Sequence, residues 1–248
     1  MLIKDSTVLI TGGRRVGRQL ASMLAERGAH VAMTYHSHPD PINKMVDTLR
    51  ANGHRALGIQ SDLRDPSQVE SALDNTYQTF GRIDILVNMV SRFDRTPFAD
   101  LSPAIINDTL EVNLKAPMWT AIATAQRMQK QTVENGVKGK IIHFLDWAVY
   151  RPYRDYLPYL VAKGGLDTLT KTLATELAPD ILVNGIAPAM IAPPEYLSEE
   201  EIESICQQTP LRRHGTPEDA NNLVLYLIEG TDFATGSIFR IDGGRFLE

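Results

Sequence analysis

The 248 residues predict an α/β fold: a single domain on a doubly wound parallel sheet of seven strands, with helices on both faces. Three observations carry that expectation. Short β-rich runs alternate with longer stretches of helical periodicity from end to end, the pattern of consecutive βαβ units. Several of the short runs are almost wholly apolar instead of alternating, as strands covered on both faces must be. No repeat, low-complexity tract or linker divides residues 1–248. A chain of this length buries about three quarters of its unfolded surface, enough for a core without staples.

Strand-like runs fall at residues 7–10, 30–35, 56–60, 83–88, 140–145, 181–186 and 237–242. Between them, apolar residues recur at helical spacing over 18–27, 42–52, 67–80, 103–134, 160–177 and 217–228. The one irregular insertion spans 188–210, with Pro188, Pro193, Pro194, Pro210 and the acidic run Glu199-Glu200-Glu201. A long connection leaving a strand of such a sheet is a candidate substrate lid.

Composition removes several classes of function. Twenty-five Lys and Arg against 30 Asp and Glu leave a net charge of −5, a poor match to nucleic acid or an anionic membrane. No run approaches the ~18 apolar residues of a membrane span. One cysteine, Cys206, excludes disulfide stapling and suits a reducing compartment. The first strand-like run begins so close to Met1 that no signal peptide is expected. His36-Ser37-His38 lacks further ligands at recognisable spacing, so no metal is expected. There is no Gly-x-Ser-x-Gly elbow for nucleophilic hydrolysis. A cytoplasmic protein with a small-molecule partner is expected, with no nucleic acid and no membrane.

Ligands of open α/β sheets bind at the carboxyl ends of strands. The first strand runs into Thr11-Gly12-Gly13-Arg14-Arg15-Val16-Gly17 and then a helix. Glycines there permit a tight turn, and a helix N-terminus attracts a pyrophosphate. The second strand ends Thr34-Tyr35-His36-Ser37-His38, with no carboxylate before Asp40 to meet a ribose hydroxyl. Arg14, Arg15, His36 and Ser37 are instead candidate donors to a 2′-phosphate, His36 and His38 being otherwise solvated loop residues. Farther on, Tyr159-Leu160-Val161-Ala162-Lys163 lies in a helical stretch, which puts Tyr159 and Lys163 on one face. An ammonium beside a phenol stabilises the phenolate.

In these motifs the chain resembles the short-chain dehydrogenase/reductase family, over nearly its whole length and with that family's Rossmann-type sheet. The resemblance implies that Tyr159 donates a proton, that Lys163 holds the cofactor ribose and lowers the Tyr159 pKa, and that Asn113 carries a water-linked proton route. It places the cofactor against Gly12, Arg14, Arg15, Val16 and Gly17, then Tyr35, His36 and Ser37. It adds Asp62 and Leu63 at the adenine, Asn88 at the head of Asn88-Met89-Val90-Ser91, Lys163, and Pro188, which is followed here by Ala189. A homotetramer through the long helices is also implied.

Two departures are informative. The glycine turn is one residue short, with Arg15 where the middle glycine usually stands. Thirteen residues before Tyr159, where the family carries Ser, this chain has Asp146. An ionised carboxylate would repel the oxyanion that develops when a ketone is reduced. A carboxyl and a phenol together suit a C=N bond, whose nitrogen must be protonated. Asp146, Arg15 and Phe93 together resemble the pteridine reductase and dihydromonapterin (dihydrofolate) reductase-like branch, in which Ser91 and Phe93 would hold a pterin against the nicotinamide. By strand alternation Phe144 points with Asp146 and Trp147 points away, and both are assigned to the core. The expected activity is NADPH-dependent reduction of a pterin-like C=N substrate, with Asp146, Tyr159, Lys163 and Asn113 as catalytic residues. The alternatives are a carbonyl reductase, for example of 3-oxoacyl thioesters, and a catalytically silent NADPH-binding sensor.

Overall fold

The computed structural model describes residues 1–13, 16–134, 136–193 and 197–247. Seven strands form one sheet: β1 (Thr7–Gly12), β2 (His30–Tyr35), β3 (Ala56–Gln60), β4 (Ile85–Met89), β5 (Gly139–Phe144), β6 (Ile181–Pro188) and β7 (Ile238–Ile241). All neighbours pair in parallel, in the order β3-β2-β1-β4-β5-β6-β7. The chain builds outward from β1 to β3, then returns to lay β4 on the other side of β1. That reversal opens a crevice at the carboxyl ends of β1 and β4.

The apolar runs have the expected cause. Ile10, Val87 and Ile142 join one hydrophobic cluster with Leu20, Leu24 and Val224, while Leu9, Leu86 and Ile141 join a second with Leu73 and Leu173. Adjacent residues of one strand thus serve opposite faces, and both faces are covered.

The helices are α1 (Val16–Glu26), α2 (Pro39–Ala51), α3 (Pro66–Phe80), α4 (Pro103–Leu110), α5 (Ala116–Met128), α6 (Leu157–Leu177), α7 (Glu199–Gln207) and α8 (Pro217–Leu225). None of the described helices is long and apolar enough to cross a membrane. Several points differ from the sequence reading. The helix expected over 103–134 is broken by a π-helical turn at Glu111–Lys115 and ends at Met128. Beyond it, the Gln131 amide bonds both backbone groups of Ile83, at 2.8 and 3.0 Å. The insertion over 188–210 is not irregular throughout, because it contains α7. That helix starts in a capping box: Ser198 accepts from the Glu201 backbone, and the Glu201 carboxylate accepts from that of Ser198. Finally, α6 begins three residues early, with a proline in its first turn.

Candidate active site

A cavity of about 1020 Å³ follows the carboxyl ends of the strands. At its nucleotide end, β1 turns through Gly12 (φ +67°) and Gly13 (φ +77°). A Cβ on Gly12 would stand 2.9 Å from the Val90 Cα, and one on Gly13 would stand 2.9 Å from the Gly17 Cα. Side chains are therefore shut out, and backbone reaches the cavity wall where α1 begins. Gly12, Gly13 and Val16 line the cavity, as do Tyr35, His36, Ser37 and His38 from the end of β2, and Asp62 and Leu63 after β3. Arg64 grips the Asp62 carboxylate at 2.6 Å and holds it below the usual carboxylate range, and the His36 Nε2 lies 3.5 Å away. Arg14 and Arg15 lie outside the described residues. These residues fit a nicotinamide dinucleotide, since a glycine cradle closed to any Cβ leads into a trough along three strand ends.

Two residues assigned to the cofactor stand behind this wall. Gly17 packs on Ile10 and Met89. The Asn88 side chain is buried, accepting from the Thr11 hydroxyl at 2.9 Å and donating to the Pro117 carbonyl at 3.1 Å. It ties β4 to β1 and α5, so its amide does not face the cavity.

At the reacting end, Tyr159 and Lys163 stand one turn apart on α6, both buried. The Tyr159 hydroxyl donates to Asp146 Oδ2 at 2.9 Å. The other Asp146 oxygen accepts from the Ala148 backbone at 2.8 Å and caps a 3₁₀ turn over Trp147–Val149. The thirteen-residue spacing is thus a direct contact. Lys163 Nζ donates to the Phe144 carbonyl at 2.7 Å. Asn113 is fully buried in the π-helical turn, accepting from the Ser91 hydroxyl and the Arg92 backbone at 2.9 Å each and donating to the Thr109 carbonyl at 3.1 Å. Its side chain fastens the loop after β4 and does not itself line the cavity.

Burial pushes the Asp146 carboxyl up, against two hydrogen bonds that favour its charge. Burial, followed by the neighbouring Asp146 charge, holds the Tyr159 phenol well above its ordinary value. The Lys163 ammonium, pulled down to about 8 by burial, lies 5.7 Å from the centre of the Tyr159 ring. In this structure the Tyr159 phenol is held up, by burial first and by the Asp146 charge second, and is not drawn down by Lys163 as the family resemblance implied. Tyr159 is a protonated donor held by Asp146.

An aromatic wall completes this end. Phe93 stacks on Tyr156 with centroids 4.4 Å apart and meets Tyr159 edge-on at 4.9 Å, while Tyr153 meets Tyr156 edge-on at 5.1 Å. One face of Phe93 is therefore covered by Tyr156 and is not available to a planar ligand while that stack is kept. Ser91, Phe93, Pro188 and Ala189 line the cavity as expected. So does Trp147, contrary to its assignment away from the site, because alternation stops where β5 gives way to the 3₁₀ turn. Tyr153, Tyr156, Arg92, Arg64 and Arg245 also line it and were not anticipated. The tyrosines left a signal, since Tyr150, Tyr153, Tyr156 and Tyr159 recur every third residue. Arg245 left none, as it arrives from the far end of the chain. From the insertion, Ala192, Leu197 and Ile205 of α7 reach the cavity.

Fold and site together define an oxidoreductase that uses a nicotinamide cofactor. Residues 13–245 match the family described as Enoyl-(Acyl carrier protein) reductase. Similar proteins include subunit BbsD of (2S)-[(R)-hydroxy(phenyl)methyl]succinyl-CoA dehydrogenase from Thauera aromatica, 33% identical over 100% of this chain and 99% of its own. The 3-oxoacyl-[acyl-carrier-protein] reductase FabG of Aquifex aeolicus is 31% identical, over 98% of each chain. A short-chain dehydrogenase/reductase structure from Serratia marcescens superposes with a TM-score of 0.89 at 26% identity, covering 99% of this chain and 100% of that one. The chain belongs to the short-chain dehydrogenase/reductase family.

Proposed function

We propose that this chain is an NADPH-dependent reductase of a pterin-like C=N bond, in the dihydropterin and dihydrofolate class. The observation that carries this reading is the 2.9 Å hydrogen bond from Tyr159 to Asp146. When bound, NADPH supplies the hydride. The nitrogen of a C=N acceptor then needs a proton, which Tyr159 is placed to give and Asp146 to replace. A carboxyl raised by burial keeps a proton to a higher pH than an exposed one. Lys163, anchored on the Phe144 carbonyl, is placed to hold the ribose. The Phe93 and Trp147 rings that line the cavity suit a flat heterocycle, and a stacked aromatic pair adds about 1 kcal/mol beyond the area it buries. Preference for NADPH rests on His36 and Ser37 at the end of β2, where no carboxylate precedes Asp40. Steady-state assays with NADPH should show turnover of dihydrobiopterin or dihydrofolate that collapses in Tyr159→Phe. No pterin turnover, with robust reduction of acetoacetyl thioesters, contradicts the proposal.

A carbonyl reductase is the second reading, and the relatives named as 3-oxoacyl reductases favour it. A protonated Asp146 can donate to a ketone oxygen where an ionised one repels it. On this reading Asp146→Ser keeps or raises ketone reduction. Assembly as a homotetramer is supported by Trp119 on α5 and Leu157 and Val161 on α6, large apolar side chains left exposed. Light scattering on the purified protein tests the oligomeric state.

A further inference from the structure

Among the described residues, four arginines line the catalytic cavity and the smaller one, about 220 Å³, that adjoins it. Three are neutralised: Arg64 by Asp62 and Asp108, Arg92 by Asp94 and Asp108, and Arg213 by Asp219. Arg245 differs. It borders both cavities, yet among the described residues its guanidinium meets no carboxylate within ion-pair distance and donates no hydrogen bond. Its one marked contact is the Trp147 ring, with the guanidinium carbon 4.8 Å from the ring centre. Stacking on an indole orients a guanidinium but leaves its in-plane N–H donors open.

The backbone that presents Arg245 is pinned on every side. Gly243 (φ +60°) and Gly244 (φ +86°) turn the chain inward after β7. The Asp242 carboxylate accepts from the backbones of Gly244 and Phe246 at 3.1 Å each, and the Arg245 N–H donates to the Asp242 carbonyl at 3.0 Å. Arg151 donates to the Arg245 carbonyl at 3.1 Å. A Cβ on Gly244 would come within 3.0 Å of Pro210, which fixes the turn against the end of the insertion. The cation is therefore held in advance of any ligand and partly out of water; among the described residues no carboxylate pairs with it directly, and Asp146 acts on it only from beyond ion-pair distance. A half-buried guanidinium remains charged and is costly to leave unpaired.

We propose that Arg245 is the specificity residue of this site and selects substrates bearing a carboxylate, which it pairs through two parallel N–H donors. The reducible group lies at Tyr159 and Asp146, and the carboxylate extends past Trp147 toward the smaller cavity. This deepens the reductase reading and rests on it only in that the cavity holds the substrate. A charge-assisted pair of this kind, partly shielded from water, contributes about 10- to 100-fold in affinity.

The test compares two substrate pairs that differ in charge: dihydrofolate against dihydrobiopterin, and acetoacetate against its ethyl ester. Each is assayed with NADPH in the wild type, Arg245→Gln and Arg245→Lys. The account predicts that the wild type prefers the charged member of whichever pair it reduces, by KM more than by kcat. Arg245→Gln should cut that preference about 10- to 100-fold, and Arg245→Lys should restore part of it. Equal losses on charged and neutral members, a rise in the KM of NADPH alone, or no preference in the wild type overturns the inference. Turnover of the ketone pair but of neither pterin overturns the pterin reading instead, and Arg245 is then read on the ketones.

Discussion

The two ends of the cavity are built from different materials. At the nucleotide end the wall is backbone: Gly12 and Gly13 exclude side chains, and the charged groups nearby, Asp62, Arg64 and His36, form partly exposed pairs. At the reacting end the wall is side chain. Asp146, Tyr159 and Lys163 are all buried or nearly so, and each is moved off its ordinary pKa mainly by the loss of water. Exposed pairs are screened and contribute little to stability, whereas buried ionisable groups couple strongly to one another and to pH. Shape thus governs binding at one end, while proton affinity governs chemistry at the other.

The largest break in this comparison should come from Tyr159→Phe. Removing the donor leaves Asp146 without its 2.9 Å partner, and turnover should fall about 10³-fold while NADPH still binds, as followed by cofactor fluorescence. Asp146→Asn should lower turnover about 10²-fold and yet stabilise the fold. The sign follows from the raised carboxyl. Between the ordinary carboxylate value and its raised folded value, the native state binds a proton that the unfolded chain has released. Stability present at low pH is therefore lost as pH rises through the folded pKa, and the amide is free of that loss. A higher melting temperature at pH 7 alongside the lost activity checks this, and a fall in both contradicts it.

Gly13→Ala tests the nucleotide end. Its Cβ would meet the Gly17 backbone at 2.9 Å at a positive φ, so NADPH affinity should fall about tenfold with kcat nearly kept. The last prediction concerns stability alone. Lys163 titrates near 8 in the folded protein against 10.5 as its ordinary value, so the unfolded chain binds the extra proton between those limits. Wild-type stability should gain from this group as pH rises across that window, by at most about 1.4 kcal/mol per pH unit. Denaturation of Lys163→Met at several pH values should show that component of the slope removed.

How much of this was legible in the sequence depended on whether the signal was local. The parallel sheet followed from apolar runs whose alternate residues, Leu9 and Ile10 or Leu86 and Val87, serve opposite faces, whereas its strand order came only from the structure. Tyr159 and Lys163 were legible because one helical turn sets their spacing, and Asp146 because the family resemblance places a site residue thirteen positions before Tyr159. Asn88 and Asn113 were given functional roles, yet both amides are committed to hydrogen bonds inside the scaffold, which no spacing reveals. Trp147 was misplaced because strand alternation was carried three residues past the end of β5 at Phe144. The helix α7 was overlooked although Ser198 and Glu201 spell a capping box. Arg245 could not be read locally, since 98 residues separate it from Trp147, against which it stacks (245 − 147).

The central claim is that the buried Asp146–Tyr159 pair serves protonation of nitrogen. The most direct measurement is kcat/KM with NADPH for dihydrobiopterin and for an acetoacetyl thioester, in the wild type and in Asp146→Ser. The account predicts that the wild type favours the pterin and that Asp146→Ser shifts the ratio toward the thioester. A wild type that reduces the thioester and ignores the pterin, with no change of ratio in the variant, contradicts it.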